Sequence, residues 1–233
     1  MIEEDQIIKN YYNILSLLQQ YTHGKERPQL VMVTKDQPVE LVARILNRLE
    51  RPIIGENRVQ EALKKIEVCR KTKANWHFIG HLQRNKVKKI LGKFSLIHSL
   101  DRLSLAKEIE KRASDQNIVV KCLLQIDICQ NGSKFGFSPS EDALKDVLQE
   151  IGSFSHLKIQ GLMTIAPYLS PEETRDYFRR MRIIYENIMK YSVCPSNVEM
   201  KVLSMGMSND YVIALQEGST MIRVGRRIFE EYD

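Results

Sequence analysis

The chain has 233 residues, 43% hydrophobic and 27% charged, which suffices for one barrel-sized core without requiring a second complete domain. Its 35 basic and 29 acidic residues leave a net charge of +6, gathered in Lys64-Lys65, Arg70-Lys71-Thr72-Lys73 and Arg84-Asn85-Lys86-Val87-Lys88-Lys89; few aromatics are interleaved, so these runs read as solvated helix faces and argue against nucleic acid. No apolar run approaches the ~20 residues of a membrane span, Met1 to Gln20 lacks a signal-peptide pattern, and neither the four scattered cysteines nor the five histidines show ligand spacing, so a cytoplasmic protein with reduced thiols and no metal is expected.

Ile7, Ile8, Tyr11, Tyr12, Ile14, Leu15 and Leu18 recur at helical spacing and predict an amphipathic helix over 7–21. Leu30-Val31-Met32-Val33 is an apolar run of the kind found in parallel strands buried on both faces. It stops at Thr34-Lys35, and Pro38 then supplies a first-turn residue for a helix over 39–49. The alternation continues with strand 52–55 and helix 59–69, strand 76–80 and helix 85–91, then strand 94–98 and a helix opened by Asp101 and covering 103–113. The fifth and longest strand, 118–128, leads through a loop at 131–137 into helix 141–151. Strand 157–163 precedes a long helix over 171–191, strand 198–203 a helix ending at Leu215, and strand 221–225 a short terminal helix.

Strands alternating with helices at about 25 to 30 residues per unit predict an α/β fold, a single (β/α)8 TIM barrel with an extra N-terminal helix. An open doubly wound sheet is the competing topology, but no G-x-G-x-x-G follows the first strand. No Pro-, Gly- or Ser-rich linker interrupts the pattern, so 1–233 is read as one domain.

In such a barrel the site lies at the C-terminal ends of the strands. Those ends carry Lys35, Glu56-Asn57, His77 to His81, Asp127, Thr164, Ser204 to Ser208 and Arg223 to Arg226, polar groups expected at one rim. Lys35 either begins a solvated loop or is a desolvated amine that condenses with an aldehyde. Ser204-Met205-Gly206-Met207-Ser208 has a glycine permitting close backbone approach and hydroxyls ahead of a helix, and Gly225-Arg226-Arg227 turns amides and positive charge toward an anion. Loops after strands seven and eight are a recurrent phosphate position in this barrel. A rim lysine opposite a phosphate cradle points to pyridoxal 5′-phosphate. Arg223 is placed near the ring, and strand-end position leaves open whether it faces the ring nitrogen, the phosphate or solvent.

Several ordered stretches carry a resemblance: Val33-Thr34-Lys35-Asp36-Gln37-Pro38, Gly55-Glu56-Asn57-Arg58-Val59-Gln60-Glu61, the run from Trp76 to Lys86, Lys134-Phe135-Gly136-Phe137, Gly161-Leu162-Met163, the run from Ser204 to Asp210, and that from Gly218 to Gly225. Over about Leu30 to Phe229 the sequence resembles the pyridoxal phosphate homeostasis protein family, single-domain relatives of the barrel half of alanine racemase. The resemblance implies that Lys35 carries the cofactor as an internal aldimine, that Asn57 and His77 help line the ring pocket, and that Ser204, Met207, Ser208, Arg223, Gly225 and the Arg226 amide hold the ring and phosphate end. Two departures stand out: Thr34 where many members have serine, and Glu230 where a glycine usually follows the phenylalanine.

The related racemases and decarboxylases add a β-domain that supplies catalytic groups, and the chain is expected to lack it. The resemblance therefore implies a protein that binds the cofactor and buffers or delivers it without established turnover. The expected partners are the cofactor itself and pyridoxal-phosphate-dependent apo-enzymes, with no membrane and no nucleic acid, and the expected state is a monomer or weak associate. The alternative is a small racemase-like or transaminase-like enzyme acting on an amino acid.

Overall fold

The computed structural model describes residues 2–22, 27–130, 135–191 and 195–230. Its strands are β1 (Gln29–Val33), β2 (Ile53–Glu56), β3 (Asn75–Phe78), β4 (Leu96–Leu100), β5 (Val120–Ile126), β6 (Leu157–Thr164), β7 (Val198–Ser204) and β8 (Met221–Val224). Each pairs parallel with the next, and β8 returns to β1 with Arg223 opposite Val31, so the sheet closes into a barrel. The helices are α1 (Glu4–Gln19), α2 (Val39–Leu46), α3 (Val59–Val68), α4 (Val87–Ile90), α5 (Leu103–Asp115), α6 (Glu141–Ile151), α7 (Arg175–Met189), α8 (Tyr211–Gln216) and α9 (Arg226–Phe229). This is the (β/α)8 barrel that the alternation predicts, with α1 as the extra helix.

Strand alternation divides the apolar residues between two environments. In β1, Leu30 and Met32 pack outward with α1 and α2, whereas Val31 joins Leu96, Leu123, Met163 and Met221 in a small plug inside the barrel. The stripe Ile7, Tyr11, Ile14 and Leu18 of α1 buries against Leu30, Met32, Ile222, Val224, Ile228 and Phe229, covering the seam where β8 meets β1. A larger shell packs β3 to β7 against α4 to α7. Among the described residues no helix is long and apolar enough to cross a membrane.

The observed boundaries differ from the expected ones where local chemistry intervenes. Helix α2 stops at Leu46, and residues 47–51 form a turn that ends with Arg51 at φ +46° ahead of Pro52. Strand β4 begins two residues late: Phe94 stands outside it, edge-on to Phe78 with ring centroids 5.5 Å apart. Asp101 caps no helix; its buried carboxylate is taken by His81 Nδ1 (2.9 Å) and by Arg102. The segment before α4 and that before α7 are single 3-10 turns, Arg84–Lys86 and Glu172–Thr174. The longest strand is β6, with 8 residues against 7 in β5. Residues 131–134 of the expected loop after β5 lie outside the described residues.

The β6–β7 register shifts between Ile159 and Gly161. Gly161 takes φ +142°, and a Cβ there would lie 1.8 Å from the Val202 carbonyl oxygen. Gly161→Ala therefore combines backbone strain with overlap against a neighbouring strand, and an expected loss of about 3 kcal/mol is checked by the urea midpoint.

Candidate functional site

Strand β1 ends at Val33 and the chain turns at once, the Gln37 amide donating to Thr34 O (3.1 Å) with Asp36 at φ +61°. Thr34 is fully buried. Its carbonyl accepts from Lys65 Nζ of α3 (2.6 Å), and its hydroxyl donates to Glu56 Oε1 (2.5 Å), the same carboxylate oxygen that Lys65 holds at 2.6 Å. Lys65 and Glu56 are both buried, so one ion pair fastens the ends of β1 and β2 to α3. Two expectations are corrected here. Glu56 is not on the rim, because the residue after inward-facing Gly55 points outward. Nor is Lys65 part of a solvated face.

Lys35, one residue beyond buried Thr34, emerges into a cavity of about 640 Å³ lined also by Asn57, Met207, Ser208, Arg223, Gly225 and Arg226. The side chain is exposed, so the desolvated amine considered for this position is not what the structure shows. Its amino group has no partner among the described residues. Asn57 Oδ1 is buried without a hydrogen-bond partner. The backbone amides of Ser208 and Arg226 have no acceptor among the described residues. Ser208 Oγ accepts the Gly225 amide (3.2 Å), which leaves its own hydrogen to donate. Gly206 serves packing more than ligand approach: at φ +92°, a Cβ would meet the Ala214 Cβ of α8 at 2.5 Å. The loop after β6 adds Ile165, Ala166, Pro167 and Tyr168, which sequence reasoning missed, although loops at this end of such barrels are the place to look. Tyr168 is 84% exposed at the edge of the mouth.

His77 and Ser204 lie deeper. Arg223, buried, donates through Nη1 to Ser204 Oγ (2.7 Å) and through Nη2 to the Thr164 carbonyl (2.8 Å). Ser204 Oγ lies 3.1 Å from His98 Nδ1, and His98 Nε2 lies 3.0 Å from His77 Nδ1. A polar chain thus crosses the barrel interior from the mouth to His77, which lines a different cavity. His98, absent from the expected site, is its middle member. Burial pushes the His77 imidazole down to about 3, and burial with neighbouring His77 and Arg223 holds His98 well below its ordinary value. Burial also lowers Arg223, to about 10, partly offset by Asp210. At neutral pH the arginine is charged and both histidines are neutral. Among the described residues no group of His, Cys, Asp and Glu is arranged to hold a metal. Cys69 and Cys122 are buried free thiols, the Cys129 thiol faces the Ile165 carbonyl (3.8 Å), and Cys194 lies outside the described residues.

The sequence profile of the alanine racemase N-terminal domain family matches residues 2–232. A pyridoxal phosphate homeostasis protein of Aquifex aeolicus is 41% identical over 209 residues, 89% of each chain. The chain belongs to the pyridoxal phosphate homeostasis protein family. A solved relative in that family, PipY of Synechococcus elongatus PCC7942 with PLP bound, is 31% identical; the match covers 96% of this chain and 100% of PipY at a TM-score of 0.82. An alanine racemase of Clostridium difficile, 14% identical, shares the fold over 98% of this chain and 56% of its own length, at a TM-score of 0.75.

Removing Lys65 alone strands the Glu56 carboxylate in the shell of this family member. Lys65→Met is expected to cost about 3 to 5 kcal/mol, and adding Glu56→Gln, which neutralises that carboxylate, to recover more than half; urea unfolding of the single and double variants checks both. The histidines add a pH dependence. Each folded-state value lies below the ordinary 6.5, so at pH values between the two the unfolded chain binds protons that the folded chain does not. Stability is then complete above that ordinary value and is lost as pH falls, by about 2 kcal/mol for His77 between about pH 7 and pH 5, with His98 acting in the same direction. Urea unfolding at both pH values should show this loss, and His77→Gln should reduce it.

Proposed function

We propose that the chain binds pyridoxal 5′-phosphate at the Lys35 mouth and holds it reversibly, buffering or delivering it in the cytoplasm without catalytic turnover. The observation that carries this reading is a lysine amine without a partner among the described residues, sharing one cavity with phosphate donors that likewise have none there. When bound, the cofactor supplies an aldehyde that forms a reversible covalent bond with a primary amine. Lys35 supplies that amine. The Ser208 hydroxyl and the Ser208 and Arg226 amides are donors suited to the phosphate, with the Arg226 charge behind them. Asn57 Oδ1 is a ready acceptor for a ligand hydroxyl. Arg223, immobilised by Ser204 and Thr164, offers donors and no acceptor, so a ring nitrogen facing it is the unprotonated form. Support comes from the name shared by the Aquifex aeolicus relative and from PLP in the PipY structure.

The exposure of Lys35 favours a carrier over an enzyme. Water and other amines reach the bound aldehyde carbon, whereas controlled carbanion chemistry calls for an enclosed site. The chain is read as one domain acting as a monomer, with apo-enzymes that need the cofactor as recipients. Mixed with pyridoxal phosphate, the protein should gain an absorbance band that borohydride fixes on the Lys35 peptide, and Lys35→Ala should lose it. Ser208→Ala should weaken pyridoxal phosphate about tenfold, one charge-assisted hydrogen bond, and leave pyridoxal unchanged. Label on another lysine overturns the site. Exchange of amino-acid α-protons in deuterated water, well above that with free cofactor, overturns the carrier reading in favour of a racemase-like enzyme.

A further inference from the structure

A second cavity, of about 570 Å³, opens at the opposite end of the barrel, between the N-terminal ends of the strands. None of its residues lines the Lys35 mouth, so what it binds is independent of the function proposed above. Three cations face it, Arg27, Lys121 and Lys201, and among the described residues no carboxylate belongs to its lining. Lys201 is engaged by Glu199 at 2.8 Å, which Lys158 also holds. Arg27 and Lys121 are exposed and form no ion pair among the described residues. The Ser95 hydroxyl donates to Asn75 Oδ1, which leaves the Asn75 amino group as a donor.

His77 adds a buried group at the inner wall, 4% exposed, with Nε2 unpartnered among the described residues. The polarity of Nε2 follows from the interior chain. Arg223 has only donors, so Ser204 Oγ accepts from it, and His98 Nδ1 is the acceptor within reach of the Ser204 hydrogen among the described residues, which assigns that hydrogen to it. His98 then carries its hydrogen on Nε2 and gives it to His77 Nδ1. The remaining hydrogen of neutral His77 sits on Nε2, a fixed donor at the head of the cavity. Two cations without an ion pair, a buried N–H donor and an amide NH2, with no carboxylate in the lining among the described residues, select negative charge. The size exceeds what a single water or halide needs and matches a metabolite. We infer that this cavity is a second binding site, for a small polyanion carrying carboxylate or phosphate groups.

The test is a titration of the full chain with inorganic phosphate and, separately, citrate at fixed ionic strength, followed by the His77 imidazole signals in long-range proton–nitrogen NMR. Saturable movement of the His77 signals with either anion is expected, and which anion saturates identifies the group. Arg27→Gln with Lys121→Gln should weaken that event about tenfold or more. Both positions are exposed, and an unchanged urea midpoint shows that the fold survives. Ser208→Ala, at the other end, should leave the event unchanged. No saturation by either anion overturns the site, as does saturation indifferent to the double variant. Weakening by Ser208→Ala to the same degree would place the anion in the Lys35 mouth and also overturns it.

Discussion

Lys65 and Glu56 meet at 2.6 Å behind the sheet with both side chains at or below 5% exposure. Removing two charges from water costs several kcal/mol each, and a buried ion pair recovers that only with good geometry and further hydrogen bonds. Here the further bonds go to Thr34, whose carbonyl and hydroxyl both enter the cluster. The net contribution to stability over an apolar pair is therefore small, and its consequence is positional. Strand β1 and strand β2 end in register because one helix holds both. Lys35 and Asn57, each one residue beyond the cluster, are consequently delivered to the same mouth.

The interior of the barrel is held differently. Val31, Leu96, Leu123, Met163 and Met221 form a modest apolar plug, and beside it runs the Arg223–Ser204–His98–His77 chain. An unpaired buried imidazole or guanidinium costs far more than a paired one, so each member depends on the next. Neutral histidines suit this place: a second charge beside Arg223 would repel it, and burial alone already disfavours one. The chain thus keeps one fixed cation at the mouth and carries its hydrogen-bond polarity to the far end without moving any charge.

Much of the architecture was legible in the sequence because each strand is a short apolar run between polar turns, and α1 shows an unbroken stripe. Helix α6 falls on its expected bounds, 141–151, since Ser140 and two acidic residues mark its start and Gly152 its end. Phe94 misled the placement of β4 because an apolar residue beside a strand looks like part of it until its ring is seen on Phe78. Lys35 and the loops after β7 and β8 were legible as a site because they adjoin strand ends in the chain. Glu56 and His77 were expected at the same rim and lie elsewhere, and Lys65 and His98 were not singled out, because a strand buried on both faces carries no polar alternation to say which side chain points in. Lys65 in particular sits beside Lys64 in a charged helix, and only the partner across space distinguishes the buried lysine from the solvated one.

The exposure of Lys35 has a consequence for how a ligand is retained. Apolar side chains such as Ile79, Ile165, Ala166 and Met207 line much of the mouth, but Lys35 itself lies exposed, and the directed donors of the cavity gather at the other end, at Ser208 and Arg226. On the proposed reading, a covalent bond to the Lys35 amine would add to retention while remaining open to water and to competing amines. Affinity and release would then be set at different atoms, the phosphate end holding the ligand and the exposed lysine end letting it go. A protein that must bind a cofactor tightly enough to sequester it and loosely enough to surrender it needs that separation. An enclosed lysine would slow release together with loss to solvent, and the turn at Thr34 to Gln37, by lifting Lys35 clear of the sheet, keeps the two apart.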